Sequence, residues 1–338
     1  MKILLTGANG QLGRSLSLLK PKDVNLISPS RNELDLTDNK RCFEIVKNLR
    51  PDWIINAAAY TNVDKAEEEK EIAFKINAEA PKSFAQAIEI YGGKLMQIST
   101  DFVFGGYQNI PYLISQKTDP INTYGETKAC GEIYIKNVLN KKNNFLILRT
   151  SWLMSDLGPN FALKIINLLR NKKELEVVND QIGAPTTTYS LADIIWKIIF
   201  FSPKNRDKNA IPNVLHWSDS GIATWYDVAV LIEETSRKLR LIEKTNYIRP
   251  IQSSMFKSKA ERPAYSVLDS SETHSLLDVP YVHWKESGMH VYTWKATESR
   301  PNFMSLDIYT CKDFDINLVI EFTKSHFQNN ITHLTWRE

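Results

Sequence analysis

Little in this chain is present in excess, and its scarcities narrow its class first. Only three of 338 residues are cysteine, Cys42, Cys130 and Cys311, far apart and without a C-x-x-C pair. An odd, scattered set argues against a disulfide framework and fits a reducing, cytoplasmic setting. Charge of one sign is scarce too: 42 Lys and Arg against 39 Asp and Glu leave a net charge of +3. The pairs Lys141-Lys142 and Lys172-Lys173 lack interleaved aromatics and read as solvated helix ends, so no nucleic-acid partner is expected. Long apolar runs are missing. The most apolar stretch, Ile194–Phe201, contains Lys197 and is too short to cross a bilayer, so no membrane partner is expected. Met1-Lys2-Ile3-Leu4-Leu5 runs straight into a glycine loop, leaving no room for a signal peptide before it. All six histidines fall in the second half with no H-x-x-x-H and no nearby thiol pair, so no metal site is expected.

What is present is an ordinary globular composition, 43% hydrophobic and 24% charged, at a length that suits two domains and a short addition. Short apolar runs at Ile3–Thr6, Asn25–Ser28, Trp53–Ala57, Lys94–Ser99 and Phe145–Arg149 read as strands. Helical patterns at Gln11–Lys20, Asn39–Leu49, Ala78–Tyr91 and Tyr124–Leu139 separate them. Continuous apolar strands divided by helices imply an α/β fold with a doubly wound parallel sheet, which binds ligands at the carboxyl ends of its strands. From Ser151 the rhythm loosens into helices at Asn160–Leu169, Leu191–Phe200 and Trp225–Leu239 with Pro-, Asn- and Thr-rich loops. The expected division is a nucleotide-binding domain over 1–150 and a smaller substrate-binding domain over 151–286, some segments of which return to the main sheet. A tail of different texture follows over 287–338.

Chemistry enters at both ends of the first domain. Gly7, Gly10 and Gly13 follow the first strand and open the first helix, the setting of a Rossmann dinucleotide fingerprint. Gly7 permits the turn, Gly10 lets backbone approach a pyrophosphate, and Gly13 allows the helix to pack on the sheet. Gln11 and Leu12 lie between them at the helix start, where free N–H groups receive an anion. The second strand ends Ser28-Pro29-Ser30-Arg31 with no carboxylate before Glu33. Arg31 in that place pairs with a 2′-phosphate, which favours NADPH and leaves NADH open. Tyr124 and Lys128 stand four apart, one helical turn on one face, so an ammonium beside the phenol is expected to lower its pKa and fit it for acid–base work. Thr100, at the end of the fourth strand, would offer its hydroxyl to the same substrate oxygen.

Longer strings carry a resemblance. Asn56-Ala57-Ala58-Ala59-Tyr60-Thr61-Asn62-Val63-Asp64-Lys65-Ala66-Glu67, Ser99-Thr100-Asp101-Phe102-Val103-Phe104, Arg149-Thr150-Ser151-Trp152, Asp180-Gln181-Ile182-Gly183-Ala184-Pro185-Thr186 and Arg262-Pro263 resemble the dTDP-4-dehydrorhamnose reductase family of extended short-chain dehydrogenase/reductases, over Met1 to about Glu286. The resemblance implies reduction of a dTDP-bound 4-keto-6-deoxy sugar by NADPH, giving dTDP-L-rhamnose for surface polysaccharide. It implies Tyr124 as proton donor, with Lys128 lowering its pKa and holding the nicotinamide ribose. Ala57, Ala58 and Ala59 would line the cofactor, and Asp35 and Leu36 would lie near the adenine. Asp101, Trp152, Gln181 and Thr186 would face the sugar nucleotide, although Trp152 also suits plain packing between lobes. A dehydratase would place an acidic pair after the fourth-strand threonine, where here Phe102 follows Asp101. An epimerase of another nucleotide sugar, and a non-catalytic regulatory subunit of the same fold, remain the alternatives.

The tail has its own likeness. Glu286-Ser287, Thr293-Trp294 and Asp307-Ile308-Tyr309-Thr310-Cys311 resemble the C-terminal part of prokaryotic S-adenosylmethionine decarboxylases. In that family the Glu-Ser bond cleaves itself, the serine becomes a pyruvoyl group, and a cysteine donates a proton. Ser287 and Cys311 match those positions, yet Gly288 and Tyr292 replace histidines and the N-terminal half of that enzyme has no counterpart. The tail therefore reads as a remnant fused to a reductase, without decarboxylase activity. Its pattern is β-β-α-β: Met289–Trp294, Phe303–Cys311, Asp315–His326 and Ile331–Arg337. So small a unit forms a marginal core and exposes strand edges, so it is expected to dock on the reductase, to pair with another copy in a homodimer, or to be poorly ordered.

Overall fold

The computed structural model describes residues 1–139, 144–156, 158–172, 174–201, 211–239, 241–242, 247–287, 290–294 and 303–307. Strand β1 (Lys2–Thr6) feeds helix α1 (Gln11–Leu18), and β2 (Asn25–Ile27) is followed by α2 (Asn39–Leu49), whose first turn is capped by the Asp38 carboxylate on the Arg41 N–H. After β3 (Trp53–Asn56) come two short helices, α3 (Val63–Ala66) and α4 (Lys70–Phe74). A π-helical turn over Lys75–Glu79 joins α4 to α5 (Ala80–Tyr91). The sequence pattern shows a plain helix from Ala78; the wide turn beginning earlier has no periodic signature. Strand β4 (Lys94–Thr100), helix α6 (Thr123–Leu139) and β5 (Phe145–Thr150) complete the first half.

The second half alternates between two places. Strand β6 (Leu153–Met154), helix α7 (Phe161–Asn171), β7 (Glu174–Val178), β8 (Ile182–Gly183) and β9 (Thr186–Thr187) precede α8 (Thr188–Ile199). Then β10 (Val214–His216), β11 (Ala223–Thr224), α9 (Trp225–Lys238), β12 (Tyr247–Ile251) and α10 (Ser271–Leu277) follow. Strand β10 returns to the main sheet, whose order is β10-β5-β4-β3-β1-β2 with every pairing parallel. Helix α8 packs on α1 through Ser15 Oγ, which donates to Thr188 Oγ1 at 2.7 Å. Strands β7 and β12 pair in parallel and, with α7 and α9, enclose a separate small core around Ile165, Leu169, Leu175, Val177 and Ile248.

The main sheet is buried on both faces, as a parallel sheet requires. Ile3, Leu5, Ile55, Met96, Ile98, Leu148 and Leu215 line one face with α1 and α8, whereas Leu4, Ile54, Leu95 and Ile147 line the other with α2, α5 and α6. Strand order reverses between β1 and β3, so the crevice lies at the carboxyl ends of those strands. Among the described residues, no helix is long and apolar enough to cross a membrane, and no group of acidic, histidine or cysteine side chains is arranged to hold a metal ion.

Residues 1–287 make one compact unit and 288–338 another. In the second, β13 (His290–Trp294) and β14 (Phe303–Asp307) form an antiparallel pair with His290 opposite Asp307 and Trp294 opposite Phe303. Met289, Cys311 and the expected elements over Asp315–His326 and Ile331–Arg337 lie outside the described residues. Ser287 belongs to the first unit; its hydroxyl donates to Asp219 Oδ2 at 2.5 Å.

Candidate active site

The glycine loop shows what each glycine is for. Gly7 has φ +72°, and a Cβ on it would stand 2.7 Å from the Ala58 nitrogen, so the loop after β1 lies directly on the Ala57–Ala58 backbone after β3. A Cβ on Gly13 would meet the Gly7 carbonyl oxygen at 2.2 Å, whereas one on Gly10 meets only that oxygen, at 3.2 Å. Gly10 therefore faces space, at the start of a helix with no acidic residue in its first turn and no side-chain cap. Those free N–H groups beside an open glycine fit a pyrophosphate. Leu12 is buried, and the Gln11 side chain accepts a hydrogen bond from Asn160 Nδ2 at 3.0 Å, tying the loop to the second half.

Further along this crevice the predicted residues separate. Arg31 is exposed, and its charge adds to the pull on the nearby Asp35 carboxyl. Asp35 Oδ1 accepts from both the N–H and the hydroxyl of Thr37, which hold its carboxyl below the ordinary range. Leu36 is buried among Leu4, Leu34 and Val46, so its side chain serves the core and only its backbone remains for a nucleobase. Ala57, Ala58 and Ala59 line the crevice half-buried, with the Ala58 N–H donating to Thr6 Oγ1 at 3.3 Å.

Helix α6 delivers the acid–base pair. Its start is held by Glu67, whose two oxygens accept from the N–H and hydroxyl of Thr123 at 2.8 Å each, and by Asn122, which accepts from the Gly125 N–H. A Cβ on Gly125 would fall 2.1 Å from the Phe102 carbonyl oxygen, so the helix rests on the turn after β4. Tyr124, Lys128 and Thr100 converge there. Thr100 Oγ1 donates to Asp101 Oδ1 at 2.9 Å and stands within hydrogen-bonding reach of the Tyr124 phenol. Lys128 Nζ donates to the Ile98 carbonyl at 2.6 Å.

The electrostatics differ from the spacing-based expectation. Burial pushes the Tyr124 phenol up to about 12, helped by the Asp101 charge and opposed by the Thr100 hydrogen bond. The expected lowering by Lys128 is absent because the ammonium is aimed at Ile98 and is itself pulled by burial down to about 8. At neutral pH the pair is thus phenol plus ammonium. Thr100, expected to point at substrate, is turned to Asp101. Burial also raises Asp101 to about 6 against hydrogen bonds from Ser266 and Thr100, and its Oδ2 is buried without a partner.

The residues expected to face a sugar nucleotide form a second group. Trp152 is held at φ +43° and stacks on Trp225 with centroids 3.5 Å apart and planes at 3°. Its ring fills the space beside Gly183, where a Cβ would lie 2.4 Å away. Thr186 is buried; its N–H donates to the Trp152 carbonyl and its hydroxyl to Ala184. Gln181 is nearly buried and donates to Ser253 Oγ at 2.9 Å. This loop reaches the acid–base group through its neighbours: the Ser266 N–H donates to the Ile182 carbonyl, and the Ser266 hydroxyl bonds Asp101.

Ser266 carried no sequence signal, whereas two others did. Glu132 continues the Tyr124–Lys128 face one turn further, and Arg149 is a charge within an apolar strand, which burial tolerates only with a partner. Each is the other's partner: Arg149 Nη2 and Nε reach the two oxygens of Glu132 at 2.6 and 2.9 Å.

Residues 1–295 match the family model described as the RmlD substrate binding domain, beyond the Glu286 limit read from the sequence. The dTDP-4-dehydrorhamnose reductase of Escherichia coli K12 is 37% identical over 276 residues, which is 80% of this chain and 90% of that protein. A crystal structure of a dTDP-4-dehydrorhamnose reductase from Clostridium acetobutylicum superposes with a TM-score of 0.75 at 38% identity, covering 85% of this chain and 96% of the other. One from Bacillus anthracis, in complex with NADP, gives 0.75 at 33% identity, covering 84% and 96%.

Proposed function

The chain belongs to the dTDP-4-dehydrorhamnose reductase family, and from that premise we propose how its residues divide the reduction of dTDP-4-dehydro-L-rhamnose to dTDP-L-rhamnose. It is an NADPH-dependent oxidoreductase. The observation that carries the assignment is the meeting of Tyr124, Thr100 and Lys128 at the end of β4, beside a glycine loop shaped for a pyrophosphate.

NADPH supplies the hydride to the keto carbon. Gln11, Leu12 and Gly13 offer backbone N–H groups to its pyrophosphate, with Gly7 shaping the turn and Gly10, whose own N–H is held by the Gly7 carbonyl, leaving the approach open. Arg31 is placed to meet a 2′-phosphate, Asp35 and the Leu36 backbone flank the adenine, and Ala57–Ala59 form the crevice wall. Tyr124 hands its phenolic proton to the sugar oxygen. A phenol near 12 is fully protonated at neutral pH, the form a donor must have before reduction. Lys128, anchored by the Ile98 carbonyl, holds the nicotinamide ribose through its remaining ammonium donors. Thr100 fixes the direction of the Tyr124 hydroxyl through its own bond to Asp101. Asp101, with its unpartnered Oδ2, and Trp152 take the sugar, with Gln181 and Thr186 fixing the loop behind them. A dTDP-sugar is the partner of this site, and a homodimer is the assembly we expect.

The test is NADPH oxidation with dTDP-4-dehydro-L-rhamnose by wild type and Tyr124→Phe. Loss of the donor is expected to lower kcat by roughly 100- to 10,000-fold, with NADPH affinity little changed. A wild type that binds NADPH yet never oxidises it with this sugar would favour the regulatory reading instead. In the wild type kcat is expected to fall as pH rises through about 8, where Lys128 loses its charge.

A further inference from the structure

Three same-face residues of α6 meet three consecutive residues of β4. Tyr124 meets the Thr100 hydroxyl, Lys128 donates to the Ile98 carbonyl, and Glu132 accepts from the Ser99 hydroxyl at 2.6 Å. The first two ties belong to the acid–base pair. The third is built from residues that the reduction does not use, and it is backed more heavily than either.

Ser99, Arg149 and His216 stand abreast in adjacent strands, Ser99 paired with Arg149 and Arg149 with His216. All point to the face covered by α6. Arg149 grips both oxygens of Glu132, and all three side chains Glu132, Arg149 and His216 are at most 1% exposed. Arg149 can only donate, so His216 Nε2 accepts from Nη1 at 3.3 Å and His216 Nδ1–H donates to the Tyr112 carbonyl at 3.1 Å. The imidazole is therefore neutral, and among the described residues Glu132 is the carboxylate that pairs with the guanidinium, while Asp269 lies on the His216 side. A fully buried ion pair costs desolvation that plain apolar packing would avoid, so a stabilising role alone explains it poorly. What the pair does achieve is directional: the carboxylate is immobilised with one oxygen aimed at Ser99, one residue before Thr100.

We propose that Glu132 is a positioning residue for the reduction, pinning the end of β4 to α6 through Ser99 so that Thr100 meets the Tyr124 hydroxyl, with Arg149 and His216 holding the carboxylate in place. The inference rests on the reductase reading above. It also places an anion one turn beyond Lys128. The charged or titratable groups around this carboxylate are Lys128 and Lys136 on its own helix, the latter at 3.7 Å, Arg149 on β5, and His216 on β10 behind Arg149. Asp101 lies on the turn after β4, on the far side of Thr100.

The experiment compares wild type, Glu132→Gln and Ser99→Ala as full chains, recording kcat, KM, thermal melting and the pH dependence of NADPH affinity. Glu132→Gln keeps an acceptor for Ser99 but loosens the Arg149 grip and removes the charge. Its kcat is expected to fall roughly tenfold or more, with KM within threefold. The alkaline limb of kcat and of NADPH binding is expected to move to lower pH, because Lys128 loses the neighbour that favours its charged form. A folded Glu132→Gln with wild-type kcat and an unmoved limb overturns the proposal. Should that variant fail to fold, Ser99→Ala decides: it cuts the tie while leaving the ion pair, and its kcat must fall while its melting temperature stays close to wild type. Unchanged kcat in Ser99→Ala overturns the proposal. Wild-type turnover tests the reductase reading separately, and the NADPH limb needs no sugar, so the two failures are distinguishable.

Discussion

Two polar rows cross the same sheet on the same face, and they are built from different materials. Thr6, Asn56 and Gln97 stand abreast on β1, β3 and β4, and Ser99, Arg149 and His216 on β4, β5 and β10. The first row is neutral. Thr6 Oγ1 donates to Asn56 Oδ1 at 2.5 Å, Asn56 Nδ2 to Gln97 Oε1 at 2.7 Å, and Gln97 Nε2 to the Ile98 carbonyl at 2.9 Å. It ends on the carbonyl that also receives Lys128. The second row carries a buried charge and needs Glu132 from outside the sheet to answer it. The neutral row lies under the cofactor loops, where shape is what a nucleotide requires. The charged row lies under the proton donor, where an atom must be aimed. Amides satisfy each other locally and tolerate small shifts; an ion pair fixes its partners or fails altogether.

The comparison breaks most visibly at Arg149. Arg149→Met takes the guanidinium from the buried Glu132, leaving it only Lys136 at 3.7 Å and the more distant Lys128, and is expected to cost about 3 kcal/mol of stability. Adding Glu132→Gln to it is expected to recover most of that loss, since both charges then leave together. Urea unfolding of the single and double variants measures both. A double variant no more stable than the single would mean that the row is held by packing, and the contrast with the neutral row would lose its basis.

The neutral row is expected to lose less. Asn56→Ala leaves the Thr6 hydroxyl and the Gln97 carbonyl without each other's bridge, a cost of about 1–3 kcal/mol. The consequence for function should differ in kind, weakening NADPH affinity through the Ala57–Ala59 loop while sparing kcat at saturation. Isothermal titration with NADPH checks this. A kcat loss as large as that of Glu132→Gln would show that the rows do not divide the work.

How much of this was legible beforehand follows from distance along the chain. Gly7, Gly10 and Gly13 and the Tyr124–Lys128 spacing were readable because a turn and a helix face are set within a few residues. The parallel sheet was readable from its apolar runs, but β10 was not, being three residues long and distant from its neighbour β5. Arg149 announced a need for a partner without naming Glu132. Trp152 left its role open between packing and ligand contact, because the stack on Trp225 joins positions that no local period relates. The direction of the Tyr124 shift is not set locally either. Spacing brings an ammonium near a phenol, but burial and the Ile98 carbonyl, both tertiary, decide where the ammonium points.

The smallest effect separates the rows by pH. Burial and the Arg149 charge pull His216 down to about 3 from an ordinary 6.5. A base with a depressed folded pKa contributes stability above its unfolded value, and that contribution is lost as pH falls from 6.5 toward 3. The loss is expected to be roughly 1 kcal/mol per pH unit through that window. Glu132, held below 4.5 by Arg149 against its burial, begins to titrate only further down. Asp101 acts in the opposite sense: raised to about 6, it favours the folded state as pH falls below that value. The raw stability curve therefore mixes signs, and the difference between wild type and His216→Gln is the informative quantity. Glutamine can still donate to Tyr112 and accept from Arg149 but cannot titrate, so the gap between the two proteins should change steadily from pH 6.5 to pH 4.5 in favour of the variant. The same substitution scheme on the neutral row, Gln97→Met, has no titrating group to remove and should leave a gap that does not depend on pH across that range. A pH-independent gap for His216→Gln would mean that the imidazole is protonated in the folded chain, with the Glu132 and Asp269 charges outweighing burial and Arg149.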